Sequence, residues 1–164
     1  MISKKMQEAM NNQINEELFS AYLYLSMAAW FEKNNLRGAA SWMLKQSSEE
    51  TGHAMKFFNH VLERGGEVEL LPIKGPQKEW TSILEVFEAS LEHERHISAR
   101  INDLYSLALK ESDYASQVFL QWFVEEQVEE EASVDEVVQK LKLVSDSKQG
   151  IFMVDRELGM RGND

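Results

Sequence analysis

Apolar residues recur at helical spacing through almost the whole chain, and the interruptions divide it into five segments. Residues 4–33 contain neither glycine nor proline and carry Met6, Met10, Ile14, Ala21, Tyr24 and Ala28 on one stripe. Asn34-Asn35 breaks that pattern. A second stripe of Ala39, Met43, Phe57 and Val61 follows and is closed by Gly65-Gly66. Thr81 or Ser82, with Glu85 three residues after Ser82, reads as a capping box opening a third helix. Its stripe is Phe87, Leu91, Ile97, Ile101, Leu104 and Ala108. Ser112 and Asp113 punctuate the chain before a fourth stripe of Phe119, Leu120, Phe123, Val134, Val137 and Leu141, and the tail from Ser145 to Leu158 holds a short fifth helix.

The connections fix the topology. Two are a few residues long, which makes the helices they join antiparallel neighbours. The third, roughly Gly65 to Trp80, contains the only two prolines, Pro72 and Pro76. Its length of about 16 residues spans about 50 Å when extended, matching a helix of about 30 residues. Helices two and three can therefore run parallel, joined by a strap along the bundle. The expected fold is all-α: an up-down-down-up four-helix bundle with one long crossover and a short C-terminal fifth helix, one domain over residues 1–164.

Every long stripe is interrupted near its middle by polar residues: Glu17 on the first, Glu50 and His53 on the second, Glu94 on the third, Gln127 and Glu130 on the fourth. Mid-helix positions meet at one level whichever way each helix runs, so four carboxylates and one imidazole converge. Buried carboxylates are costly unless compensated, and no stripe supplies a lysine or arginine. Two divalent cations would balance the charge. The oxygen-rich donor set with a single histidine suits iron or manganese better than a structural zinc. Glu50 and His53 share a helical face at i,i+3. The competing reading is a polar layer that fixes helix register, which does not call for so many groups of one sign.

Other polar residues leave alternatives open. The run from Glu125 to Glu131 is either a solvated face or, with Glu49, Glu126 and Glu129 flanking the main carboxylates, an accessory cation site. Tyr24, two turns from Glu17, is either core packing or a phenol donating an electron or a hydrogen bond near the metal; Trp122 has the same two readings. His60, His93 and His96 read as surface or otherwise satisfied histidines.

Composition narrows the function. The chain has no cysteine, which excludes disulfide scaffolds and thiolate metal sites and suits a reducing cytosol. The N-terminus lacks the apolar core of a signal peptide, and no apolar run approaches a membrane span. A net charge of −11 argues against nucleic acid as a partner. These features give the expectation of a cytoplasmic protein without a membrane or nucleic-acid partner.

Four motifs, NEELFSAYLY around Glu17, SSEETGHA around Glu50 and His53, LEHE ending at Glu94, and FLQWFVEEQVEEE around Gln127 and Glu130, resemble those of prokaryotic non-haem ferritins. The resemblance covers essentially the whole chain. It implies a ferroxidase that oxidises Fe(II) with O2 or H2O2 and stores Fe(III) as a mineral inside a 24-subunit cage. It implies that Glu17, Glu50 and His53 hold one iron, and that Glu50 bridges to a second held by Glu94 and Glu130, with Gln127 close by. Glu49, Glu126 and Glu129, sharing Glu130, would form a third, accessory iron site. Haem is not expected: bacterioferritins carry a second ExxH where this chain reads Gln127-Val-Glu-Glu130, and their haem-ligating methionine falls where this chain has Thr51. Rubrerythrins need a cysteine-rich domain, and the mini-ferritins place their iron ligands across a subunit interface. Two rival readings are a di-iron oxygenase acting on an organic substrate and an acidic helical scaffold without metal.

Overall fold

A computed structural model describes residues 1–162. Five helices follow one another, α1 (Lys4–Lys33), α2 (Arg37–Glu63), α3 (Ile83–Lys110), α4 (Tyr114–Val144) and α5 (Lys148–Leu158). Their ends are set by local chemistry. The hydroxyl of Ser3 accepts the Met6 N–H and Ser147 caps α5 through Gly150. Asp113 caps α4 through Ser116. At α3 the Ser82 hydroxyl accepts the Glu85 N–H as expected, but the Glu85 carboxylate reaches past Ser82 to the N–H and hydroxyl of Thr81. Both candidates named from the sequence thus take part in the cap.

The C-termini of α1, α2 and α3 close in the same way. After α1, Leu36 N–H donates to Phe31 C=O (2.9 Å) and Asn35 N–H to Glu32 C=O (3.1 Å), with Asn35 in the left-handed region at φ 60°. Gly65 (φ 71°) does this for α2 and Ser112 (φ 54°) for α3, each with the same pair of backbone bonds. The tight turns after α1 and α3 make two antiparallel hairpins, α1–α2 and α3–α4, which pack on one another to complete the bundle.

Residues 64–82 form the crossover, which contains no helix. It runs beside α1, whose polar side chains hold its backbone. Asn11 donates to Glu67 C=O (3.0 Å), Asn15 to Leu71 and Pro72 C=O (3.2 and 3.0 Å), and Ser26 to Gln77 C=O (2.5 Å). Lys33 pairs with Glu79 at the far end. The strap therefore follows α1 in the direction of that helix, and α2 and α3 run parallel.

The apolar core is split into two. One cluster contains Leu23, Tyr24, Met27, Phe31, Trp42, Met43, Phe87, Leu91, Val134 and Leu141. The other contains Met6, Met10, Ile14, Phe57, Val61, Ile97, Ile101, Leu120 and Phe123. Each large buried side chain stabilises the fold by about 1.5–3 kcal/mol, so the two clusters hold the bundle from both ends. The gap between them falls on every long helix at the polar interruption of its stripe.

α5 lies over the ends of α2 and α4. Leu36 gives α2 no side-chain cap, and Asp155 of α5 supplies one, its Oδ1 accepting the Ala39 N–H at 2.8 Å. Gly38 permits this approach, since a Cβ there would stand 1.7 Å from the Asp155 carbonyl oxygen.

Candidate metal centre

The gap in the core is filled by ionisable groups from all four long helices. Glu17 comes from α1, Glu50 and His53 from α2, Glu94 from α3, and Gln127 and Glu130 from α4; all six are buried. His53 Nδ1 lies 3.0 Å from Glu50 Oε2 and 3.9 Å from Glu17 Oε2. Ligand atoms of Glu17, Glu50 and His53 lie within 4.8 Å of one another, and so do those of Glu50, Glu94 and Glu130. Glu50 belongs to both groups and stands between them.

Each carboxylate is held by neutral donors. Gln13 Nε2 donates to Glu17 Oε1 at 2.9 Å. Gln46 Nε2 donates to Glu130 Oε2 at 2.6 Å and to Glu50 Oε1 at 3.2 Å. Gln127 Nε2 donates to Glu94 Oε2 at 3.1 Å and reaches the Glu94 carbonyl and Ser98 hydroxyl at 3.2 Å. The Tyr24 hydroxyl donates to Glu94 Oε1 from across the bundle. Among the described residues, no lysine or arginine pairs with any of the four carboxylates, and Glu17 Oε2 has no hydrogen-bond partner.

The electrostatics follow from that arrangement. Burial, then the charge of Glu50, pushes Glu17 well above the ordinary carboxylate range. Glu50 is pushed well above it by burial and by Glu94 and Glu130. Burial raises Glu94 against the lowering effect of the bonds from Tyr24 and Gln127. Glu130 is pushed up to about 7, by burial first and by Glu94 next. Burial and the Glu94 charge raise the Tyr24 phenol well above its usual value, so it stays a donor. A buried, acceptor-rich cluster with one imidazole and an unpartnered buried oxygen fits cations held by hard oxygen ligands.

The flanking acidic residues separate. A third group of close ligand atoms joins His53, Glu126 and Glu130. Glu49 instead pairs with Arg161 Nη2 at 3.0 Å, and Glu129 is exposed and belongs to none of the three groups. The Trp122 ring stands edge-on to His53 with centroids 5.5 Å apart, and the Lys56 ammonium lies over the Trp122 ring, 3.1 Å from its centroid. The remaining histidines have local partners: His60 stacks on Phe119 and faces Ser116, His93 bonds Ser20 at 2.7 Å, and His96 pairs with Glu16 at 3.1 Å.

Gln13 and Gln46 escaped the sequence reading. Their one signal is position, each four residues before a ligand glutamate and so one turn away on the same helix. Arg161 carried no signal, because its place depends on how α5 docks.

Comparison with known proteins finds relatives along nearly the whole chain. The family described as a ferritin-like domain matches residues 7–144. A bacterial non-heme ferritin of Bacteroides fragilis is 46% identical over 161 residues, covering 98% of this chain and 100% of the relative. Another, from Campylobacter jejuni, is 40% identical over 156 residues, covering 95% and 93%. The open pore ferritin of the hyperthermophilic archaeon Archaeoglobus fulgidus superposes with a TM-score of 0.97 at 49% identity, over 98% of this chain and 99% of that one.

Proposed function

The chain belongs to the ferritin family, and from that membership we propose that it oxidises Fe(II) at the bundle centre and stores the Fe(III) it makes. The observation that carries this reading is the shared position of Glu50. It stands with Glu17 and His53 on one side and with Glu94 and Glu130 on the other, as a carboxylate bridging two irons must.

Iron is the substrate. Two Fe(II) enter, one held by Glu17, Glu50 and His53, the other by Glu50, Glu94 and Glu130, with Gln127 beside them. Each gives up one electron, and O2 accepts the pair together with two protons to leave as H2O2; with H2O2 as oxidant, two waters leave instead. Paired oxidation avoids one-electron reduction of oxygen. Burial favours the protonated form of Glu17 and Glu50, and cation binding displaces those protons. The resulting anionic ligands favour Fe(III) over Fe(II) by charge. Tyr24 holds Glu94 in place and keeps its proton.

A third iron is drawn by Glu126 and Glu130, with Glu49 and Glu129 completing an accessory site. Fe(III) leaving the centre hydrolyses and joins a mineral inside a 24-subunit cage, without haem. The acidic charge of −11 suits cation traffic and disfavours nucleic acid. No helix among the described residues is long and apolar enough to cross a membrane, and we place the protein in the cytoplasm. Native mass measured before and after aerobic Fe(II) loading tests the storage claim. A large closed oligomer that retains iron far beyond three per chain is expected; a monomer or dimer that releases its iron refutes storage.

A further inference from the structure

Two buried glutamines stand beside the ligands, and the iron chemistry does not by itself require them. Gln13 and Gln46 are both 0% exposed, and their amide nitrogens face the carboxylates described above. Their carbonyl ends face outward, and each meets an arginine from another element. Arg100 of α3 donates through Nε to Gln13 Oε1 at 3.1 Å. Arg161, in the tail beyond α5, donates through Nη1 to Gln46 Oε1 at 3.0 Å. Arg161 is itself anchored: its guanidinium lies 4.3 Å over the Trp42 ring and bonds Glu49 Oε2 at 3.0 Å.

A guanidinium offers only donors and an ionised carboxylate only acceptors. An amide placed between them has one satisfied orientation, oxygen toward arginine and NH2 toward carboxylate. Without the arginine the amide is free to turn, and its oxygen would then oppose the carboxylate oxygens across the same short gap. We propose that Arg100–Gln13 and Arg161–Gln46 are positioning relays that hold the iron ligands in coordination geometry. The first acts on one iron site through Glu17. The second acts on the other through Glu130 and the bridging Glu50, and it ties the metal centre to the C-terminal tail. This inference rests on the two-iron reading of the centre.

Co(II), a divalent cation that air oxidises far less readily than Fe(II) in an oxygen-rich ligand set, is the probe. It is titrated into the metal-free oligomer and followed by its visible absorption and by calorimetry, with the parent expected to take two cations per chain at the bundle centre. Arg161→Met keeps the apolar stem over Trp42 and removes the donors. It should weaken the site of Glu50, Glu94 and Glu130 about tenfold or more, the size typical of groups that orient ligands, and weaken the other site, which shares only Glu50 with it, by less. Glu17→Ala leaves only the site of Glu50, Glu94 and Glu130. In that background Arg161→Met should weaken the remaining site and Arg100→Met should not. Gln46→Met and the Gln46→Met/Arg161→Met pair should bind alike, because the arginine acts through the amide and its effect cannot add. Parent affinities in both arginine variants overturn the proposal, as does a fully additive effect in the pair. Should Gln46→Met fail to fold, the two arginine variants in the Glu17→Ala background decide the matter alone. A parent chain that binds fewer than two Co(II) refutes the two-iron reading itself, whereas failure of the relays alone leaves parent binding intact.

Discussion

Tyr24 of α1 donates its hydroxyl to Glu94 of α3, so a neutral phenol holds one of the four ligand carboxylates from the opposite hairpin. Both residues are wholly buried, and the bond favours the charged form of Glu94 against a burial that disfavours it. Tyr24→Phe removes the donor and little else. Stability should fall by about 1.5–3 kcal/mol, the loss for a hydrogen bond to a charged group, and iron oxidation should slow at low loading. Stopped-flow oxidation and denaturant unfolding of the same variant check both. Parent behaviour in both would reduce the phenol to packing.

The four raised carboxyls set a pH dependence for the metal-free protein. The folded state keeps protons that the unfolded chain has already released above the ordinary carboxylate value of about 4. Stability contributed by these groups is full below that pH and is lost as pH rises through the folded values, which for Glu130 is about 7. Glu94→Gln removes one of the mutually repelling charges and keeps the shape. The melting temperature of the metal-free variant at neutral pH should rise by about 2–4 °C, the shift for about 1 kcal/mol in a domain of this size. Its iron oxidation should slow severely. Fe(II) or Zn(II) should stabilise the parent more than the variant, since binding to the folded state adds to its stability. A lower melting temperature than the parent without metal would contradict an uncompensated carboxylate cluster.

Much of this was legible in the chain itself. Glu17, Glu50, Glu94 and Glu130 interrupt apolar stripes, and helical geometry leaves a mid-stripe residue no direction but inward. The strap was legible from its length, although the structure extends it to residues 64–82 and shows why it stays put: asparagines on α1 hold its carbonyls. Gln13 and Gln46 were not legible, because a glutamine on a helix face gives no sign of whether it is buried until its partners are known. The flanking acids were half legible. Spacing places Glu49, Glu126 and Glu129 beside the ligands, but the tail decides that Glu49 meets Arg161, and only Glu126 joins a close group.

That separation bears on the accessory site. Changing Glu49, Glu126 and Glu129 together to alanine should leave binding of two irons per chain intact and alter the ratio of iron oxidised to oxygen consumed. Isothermal titration with Fe(II) under argon, followed by oxygen electrode measurements, reads both quantities. Three irons bound per chain by this variant would place the accessory site elsewhere.

Gly38 offers a separate test of how α5 is held. A methyl group there meets the Asp155 carbonyl of α5 at 1.7 Å, a contact that backbone on both sides cannot relieve by a rotamer change. Gly38→Ala should therefore displace α5, remove the Asp155 cap from α2 and cost about 2–3 kcal/mol, as overpacking against rigid groups does. Unfolding midpoints and proteolysis within residues 145–162 report the displacement. An unchanged midpoint with an intact tail would show that α5 does not dock as described.

The central claim is that Glu50 bridges two irons that are oxidised together. Fe(II) is added in steps to the metal-free protein under air, and the rapid formation of Fe(III) is followed by absorbance. In the parent the rapid phase should saturate at two irons per chain, and in Glu50→Ala or His53→Ala it should vanish while slow mineralisation at high loading persists. A rapid phase of parent rate and amplitude in both variants would contradict the account.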